Sequence, residues 1–217
     1  MNAINRVFEA VPDRMKSLPV SDKGYPVPFF ATWIDGKPDF RVITSEKMAE
    51  AVRCKLCWIC GQHMGAYMAF VIGPMCGINR TISDPPSHRD CAIFAAKNCP
   101  FMANPLAKRN ARDLPDERSD AAGFGIKRNP GAVGVWVTKS YTRFRPHAGQ
   151  PGILFRIGNP VEVLWFASGR GASRAEVEHS VETGICHLEE LAKRDGPAGE
   201  KELARRREAF VSLLPAA

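Results

Sequence analysis

Two short segments of this chain place metal-ligating side chains at close and matching spacing. Cys57-Trp-Ile-Cys60-Gly61 is a CxxC pair followed by glycine. After 27 intervening residues comes His88-Arg-Asp-Cys91, again with two residues between donors. Two intervening residues let both donors of a pair reach one tetrahedral ion, and the glycine permits the backbone turn beneath it. Cys57, Cys60, His88 and Cys91 therefore form a candidate Cys3His set for Zn2+. Four protein ligands leave no open position, so the chemistry expected of the ion is structural.

The chain contains seven cysteines, an odd number that argues against a complete disulfide framework. A second metal reading uses Cys54, Cys57 and Cys60 as a triple and Cys99-Pro100 as a terminal ligand of an iron–sulfur cluster. A ferredoxin-type run would put its fourth cysteine close behind the third, whereas Cys99 lies 39 residues away. That reading also leaves His88 and Cys91 unexplained, so it is the minor alternative. Cys76 reads as a buried small hydrophobe or a substitute ligand, and Cys186 as core. His63, close to the first pair, can donate to a thiolate or compete as a ligand, although a surface position is the ordinary expectation.

Ser87 is a good helix N-cap and residues 92–98 are helical in composition, so the second pair is expected on a first helical turn. Between the pairs, residues 67–72 and 78–82 are strand-sized and Gly73-Pro74 and Gly77 punctuate them, as in a hairpin. A CxxCG knuckle, a β-hairpin and a helix bearing two more ligands together resemble the treble-clef zinc finger. The resemblance covers residues 56–97. It implies a structural zinc module and little about activity, because treble clefs serve ribosomal proteins, DNA-binding proteins, ubiquitin-related modules and nucleases. The whole chain also resembles proteins of proteobacteria and their phages, which implies no activity.

Charge concentrates around the same ligands. Lys and Arg number 30 against 23 Asp and Glu, a net +7. Residues 53–112 hold Arg53, Lys55, Arg80, Arg89, Lys97, Lys108, Arg109 and Arg112 against Asp84 and Asp90, a net +6. Three thiolates and one Zn2+ would add −1 to that segment. A basic surface beside a zinc knuckle is an electrostatic footprint for phosphate backbones, with Trp58 and Tyr67 as stacking faces; Trp58, between two ligands, can instead pack over the knuckle. The three arginines at 205–207 are interleaved with Glu200, Glu202 and Glu208, as on a salt-bridged helix face.

Other chemistries find less support. No GxSxG, Walker A, HExxH or GxGxxG pattern is present. A nuclease of the His-Me type can be built on a treble clef, but Ile72-Gly73-Pro74-Met75 offers no acid–histidine pair and His88 is already a ligand. Gly169-Arg-Gly171 with Arg174 precedes a capped helix and is a weak anion signal. Cys186 and His187 adjoin in sequence, yet helix neighbours point about 100° apart and do not make a ready nucleophile–base pair.

The elements that must position these residues form an α+β pattern, with strands and helices segregated. Residues 1–52 open with a short helix and an extended Tyr25-Pro-Val-Pro. A hairpin follows around Asp35-Gly36, then a helix capped at Thr44 or Ser45. Residues 53–103 are the zinc module. Residues 104–131 hold three prolines, three glycines and ten charges, as a loop or linker. Residues 132–217 begin with strands at 133–137, 141–145 and 153–157, the last two read as partners of the first, and a further apolar run at 161–167. Three helices then start at the capping box Ser173–Glu176 and at about 185 and 200. The expected architecture is a treble-clef-like zinc module joined to a small antiparallel sheet packed by C-terminal helices.

No segment reaches the roughly 18 apolar residues of a membrane helix, and no secretory signal is evident. A cytoplasmic location, where thiols stay reduced, is the resulting expectation. Function is expected to be binding: nucleic acid or an acidic protein surface, engaged through the basic metal module. The alternatives are a phage- or mobile-element-type adaptor or inhibitor of a host protein, and a nuclease-like enzyme with an unrecognised site.

Overall fold

The computed structural model describes residue 8 and residues 10–110, 128–146 and 152–216. It is an α+β fold with small antiparallel sheets. A single 3-10 turn, Asp13–Met15, stands in the described part of the region where an N-terminal helix was expected. The first hairpin pairs β1 (Thr32–Ile34) with β2 (Lys37–Asp39). Asp35 and Gly36 both have positive φ, 48° and 74°, the signature of a type I′ turn whose twist suits paired strands. Helix α1 (Ser45–Cys54) follows; the Thr44 hydroxyl accepts from the Lys47 N–H at its start and Lys55 ends it in a left-handed conformation.

The segment between the two ligand pairs departs from the expected hairpin. It contains strand β3 (Met68–Ile72), helix α2 (Pro74–Asn79) and the two-residue strand β4 (Thr81–Ile82). The two strands join different sheets. Gly73-Pro74 starts a helix here, because proline at the first helical position lacks only an N–H that the helix does not use. Tertiary packing fixes α2: Ile78 is buried, and a Cβ on Gly77 would lie 2.7 Å from the Phe210 ring. Helix α3 (Arg89–Asn98) then carries Cys91 in its first turn, with His88 itself as N-cap in place of Ser87.

Beyond residue 128 come β5 (Val133–Thr138), β6 (Tyr141–Phe144), β7 (Leu154–Ile157), β8 (Pro160–Ala167) and β9 (Arg170–Gly171). One sheet has the order β3-β5-β8-β9 and the other β4-β7-β6. Strands β6 and β7 thus pair with each other rather than with β5, which lies between β3 and β8. Every residue of β5 is buried. Val133, Val135 and Val137 pack with Ala92 and Ala96 of α3 on one face. Trp136 enters the larger core on the other, with Phe70, Phe155 and Trp165. Burial on both faces explains why β5 reads as a near-continuous apolar run. Gly134 sits opposite Trp165, and a Cβ there would lie 2.8 Å from the indole.

The larger core is closed by α4 (Arg174–Glu182), α5 (Ile185–Arg194) and α6 (Gly196–Val211), which contribute Val177, Leu188 and Phe210. The capping box forms as the sequence implies, with Ser173 and Glu176 bonding each other's backbone N–H. Phe210 meets Trp165 edge-on at 5.6 Å, and the Trp165 indole N–H donates to the Leu213 carbonyl at 2.8 Å. Among the described residues no helix is long and apolar enough to cross a membrane.

Candidate metal centre

The knuckle is built by backbone geometry. The Cys57 N–H donates to the Gln62 carbonyl at 2.8 Å, and the Gly61 N–H to the Cys57 carbonyl at 2.9 Å. Gly61 has φ +74°, and a Cβ there would lie 3.0 Å from the Phe29 ring, so both conformation and space favour glycine. The second pair is brought alongside by a bridge between Ala69 and Ser87 and by the Trp58 N–H donating to the Pro86 carbonyl at 3.1 Å. Beside Cys91, the Asp90 carboxylate accepts from the Cys91 N–H at 3.0 Å and from Arg14 at 3.0 Å.

These contacts gather the ligand atoms of Cys57, Cys60, His88 and Cys91 within 4.8 Å of one another, all in buried residues. Nδ1 of His88 lies 3.4 Å from Sγ of Cys60. A zinc tetrahedron with ordinary Zn–S and Zn–N lengths has a sulfur–nitrogen edge of about 3.5 Å. The His88 Nε2–H donates to the His63 carbonyl at 3.1 Å, which leaves the Nδ1 lone pair facing the sulfurs. The His63 ring lies in an exposed residue, so its backbone, rather than its side chain, serves the site.

The electrostatics also suit a cation. Hydrogen bonds from the thiols of Cys60 and Cys91, then from the backbone N–H of Cys60 and His88, pull the Cys57 thiol far below its ordinary range. The backbone bonds are 3.4 and 3.3 Å long. Sharing those protons raises Cys60 and Cys91. Three sulfurs this close cannot all ionise without a positive charge among them. The donor set, its burial and its spacing fit a metal ion such as zinc. Met15, Ile59 and Phe94 pack with the three cysteines, and Phe8, Val11 and Leu18 lie against that cluster, so the N-terminal segment covers the centre from water.

The iron–sulfur set is not assembled. Cys54 ends α1 before the chain turns at Lys55, and Cys99 caps the far end of α3, about 12 Å along the helix from Cys91. Neither belongs to the ligand cluster. Burial and nearby Asp84 push the Cys76 thiol up to about 11, away from the thiolate a ligand needs. Cys186 is exposed on α5, outside the core expected for it.

The basic residues have different fates. Arg53, Lys55, Lys108 and Arg109 are exposed. Arg89 is held by Glu162 of β8 in a two-bond fork at 2.6 and 2.8 Å. Arg80 is half-buried, with its guanidinium 4.4 Å from the Trp136 ring centre and a bond to the Gly158 carbonyl. Lys97 is half-buried in the last turn of α3, and Arg112 lies outside the described residues. Trp58 is buried and stacks on Phe30 at 5.4 Å, whereas Tyr67 is 53% exposed. Arg170 and Arg174 bind Glu176 and Glu178, which neutralises the turn before α4. The arginines at 205–207 bond Glu202 and Glu189. Sequence reasoning missed the cover given by Phe8, Val11, Met15 and Leu18 and the role of the His63 carbonyl; neither has a motif. Compared with known protein families, curated proteins and solved structures, the chain matches none.

Proposed function

We propose that this chain is a zinc-stabilised binding protein whose cations engage nucleic acid. The observation that carries the zinc part is the buried Cys57–Cys60–His88–Cys91 cluster, closed by four protein donors and covered by apolar side chains. Such a centre holds structure rather than performing a reaction. The knuckle and the ligand-bearing helix are the parts this chain has in common with treble clefs; the strand–helix–strand between them is its own. The nucleic-acid part is supported by the surplus of 30 basic over 23 acidic residues and by the exposure of Arg53, Lys55, Lys108 and Arg109.

Two measurements test the reading. Elemental analysis of freshly purified protein is expected to give about one zinc per chain and no iron. Gel shifts with duplex DNA, single-stranded DNA and RNA are expected to show binding that falls steeply between low and moderate salt. Absence of binding to all three at low salt would overturn the nucleic-acid reading and leave the zinc assignment standing.

A further inference from the structure

Strand β6 is the outer strand of the β4-β7-β6 sheet, and the bonds of its neighbour fix where its backbone groups point. In β7 the Ile157 N–H donates to the Arg80 carbonyl, beside β4, at 2.9 Å. The next N–H, of Gly158, donates to the Ser140 carbonyl, beside β6, at 2.9 Å. Backbone groups of successive strand residues point to opposite edges, so Phe155 and Ile157 face β4 while Leu154 and Arg156 face β6. Arg156 is paired with Thr142 and Leu154 with Phe144, and these are therefore the bonded pairs of the β6–β7 ladder. Tyr141 and Arg143 are left with their N–H and C=O groups directed away from β7. Among the described residues no strand takes those groups up. Arg143 is exposed and Tyr141 half-buried.

An open strand edge is a template for another strand, and charge decides which strand it accepts. Arg143 stands on β6 and the exposed Arg145 just past its end. Among the described residues neither forms an ion pair. Residues 128–161 contain five Lys or Arg and no Asp or Glu, so β5, β6 and β7 supply no carboxylate to offset them. A second copy pairing antiparallel through β6 would set these arginines beside their own counterparts, and like charges across strands repel. A phosphodiester backbone can answer the N–H groups and the cations, but it has no donor for the Tyr141 and Arg143 carbonyls. A peptide backbone supplies donors and acceptors in alternation. The register puts Arg143 on one face of the sheet, opposite Phe155, and Thr142, Phe144 and Arg156 on the other. An added strand would therefore meet a cation on the first face and the half-buried Phe144 ring on the second.

We infer that the outer edge of β6 takes up an extended segment of a partner protein, antiparallel to β6, with carboxylates opposite Arg143 alternating with apolar side chains beside Phe144. Backbone bonds to Tyr141 and Arg143 give the strand its place, and the arginines select its charge. The inference stands apart from the nucleic-acid reading and does not need it.

The test is fluorescence anisotropy of a short labelled peptide of repeated Glu-Val with the full-length chain. Wild type is expected to bind it saturably and to ignore a repeated Lys-Val peptide of the same length. Arg143→Glu is expected to bind the Glu-Val peptide at least about tenfold more weakly and to accept the Lys-Val one. The substitution is at an exposed side chain, and zinc content and thermal melting check that the fold persists. N-methylation separates strand addition from charge attraction. A residue opposite Arg143 in an antiparallel pair turns its own N–H toward β6, whereas its neighbours turn theirs away. Methylating the glutamate nitrogens is therefore expected to abolish binding, and methylating the valine nitrogens to preserve it. Equal binding of the two methylated peptides would reduce the contact to charge attraction and overturn the inference. No saturable binding of the Glu-Val peptide by wild type would overturn it too, whatever the gel shifts with nucleic acid show. If Arg143→Thr then self-associates, the cations serve only to keep copies apart. If Arg143→Glu loses affinity for nucleic acid while its affinity for the peptide is unchanged, Arg143 belongs to a nucleic-acid surface and the inference likewise falls.

Discussion

His88 does three things with one residue. Its Nδ1 faces Cys60, its Nε2–H is held by the His63 carbonyl, and its backbone N–H bonds the Cys57 sulfur. His88→Ala is therefore expected to abolish zinc binding, and Cys60→Ser to do the same; Cys54→Ser and Cys99→Ser are expected to keep about one zinc per chain. Metal content after purification, read beside the thermal midpoint, checks this. Full zinc in His88→Ala would show that another residue completes the site. The four ligands were legible in the sequence because two-residue spacing is a local property of the chain. The half-burial of Arg80 was not: whether a side chain faces solvent depends here on Trp136 and Gly158, which come from distant segments.

Helix caps and close contacts decide matters at the level of single elements. In the α4 cap, the Arg170 guanidinium, then the Ser173 backbone N–H, hold the Glu176 carboxyl down to about 2. A carboxylate with a depressed folded-state pKa stabilises above its unfolded pKa and loses that contribution as pH falls through the folded value. The cost of Glu176→Gln, read from urea midpoints, is thus expected to be the same at about pH 7 and about pH 5. From about pH 4 down to about pH 2 the cost is expected to shrink, whereas an ordinary surface glutamate, with the same pKa folded and unfolded, would give a cost independent of pH. Ser173→Ala is expected to cost about 1 kcal/mol. Gly134→Ala forces a methyl against Trp165 and is expected to cost roughly 1–3 kcal/mol in denaturant unfolding. Strand β5 and the Ser173 cap were readable from alternation and local spacing. Helix α2 was not, since Gly-Pro signals a turn and a helix start equally; the choice was made by Phe210, well over a hundred residues away.

Across the whole molecule, α3 joins the metal centre to the main sheet. Its Cys91 and Phe94 lie in the ligand cluster, while Ala92 and Ala96 pack on β3 and β5. Losing the ion should loosen α3 first and the sheet face beneath it second. Chelator treatment is expected to raise hydrogen exchange in residues 89–98 and in β5 well before it does so in α6, whose contacts lie in the separate larger core. Uniform deprotection of the chain would instead indicate one cooperative unit. The fold class was legible from the order of strand-like and helix-like runs. The pairing of strands was not, because register between segments far apart is set by the shared core and leaves no local mark.

Lys108 and Arg128 form an antiparallel bridge, and the Asn129 N–H bonds the Ala107 carbonyl at 2.8 Å. The two ends of residues 109–127 therefore lie side by side. Cross-strand neighbours at such a bridge are about 5 Å apart, a gap that a two-residue turn spans. Replacing residues 111–127 with Gly-Gly, which keeps Arg109 beside Asp84 and the Arg41–Asn110 contact, is expected to leave zinc content and thermal midpoint unchanged within a few degrees, and a collapsed midpoint would refute it. The closeness of those two ends, rather than the length of chain between them, is what the core has to accommodate.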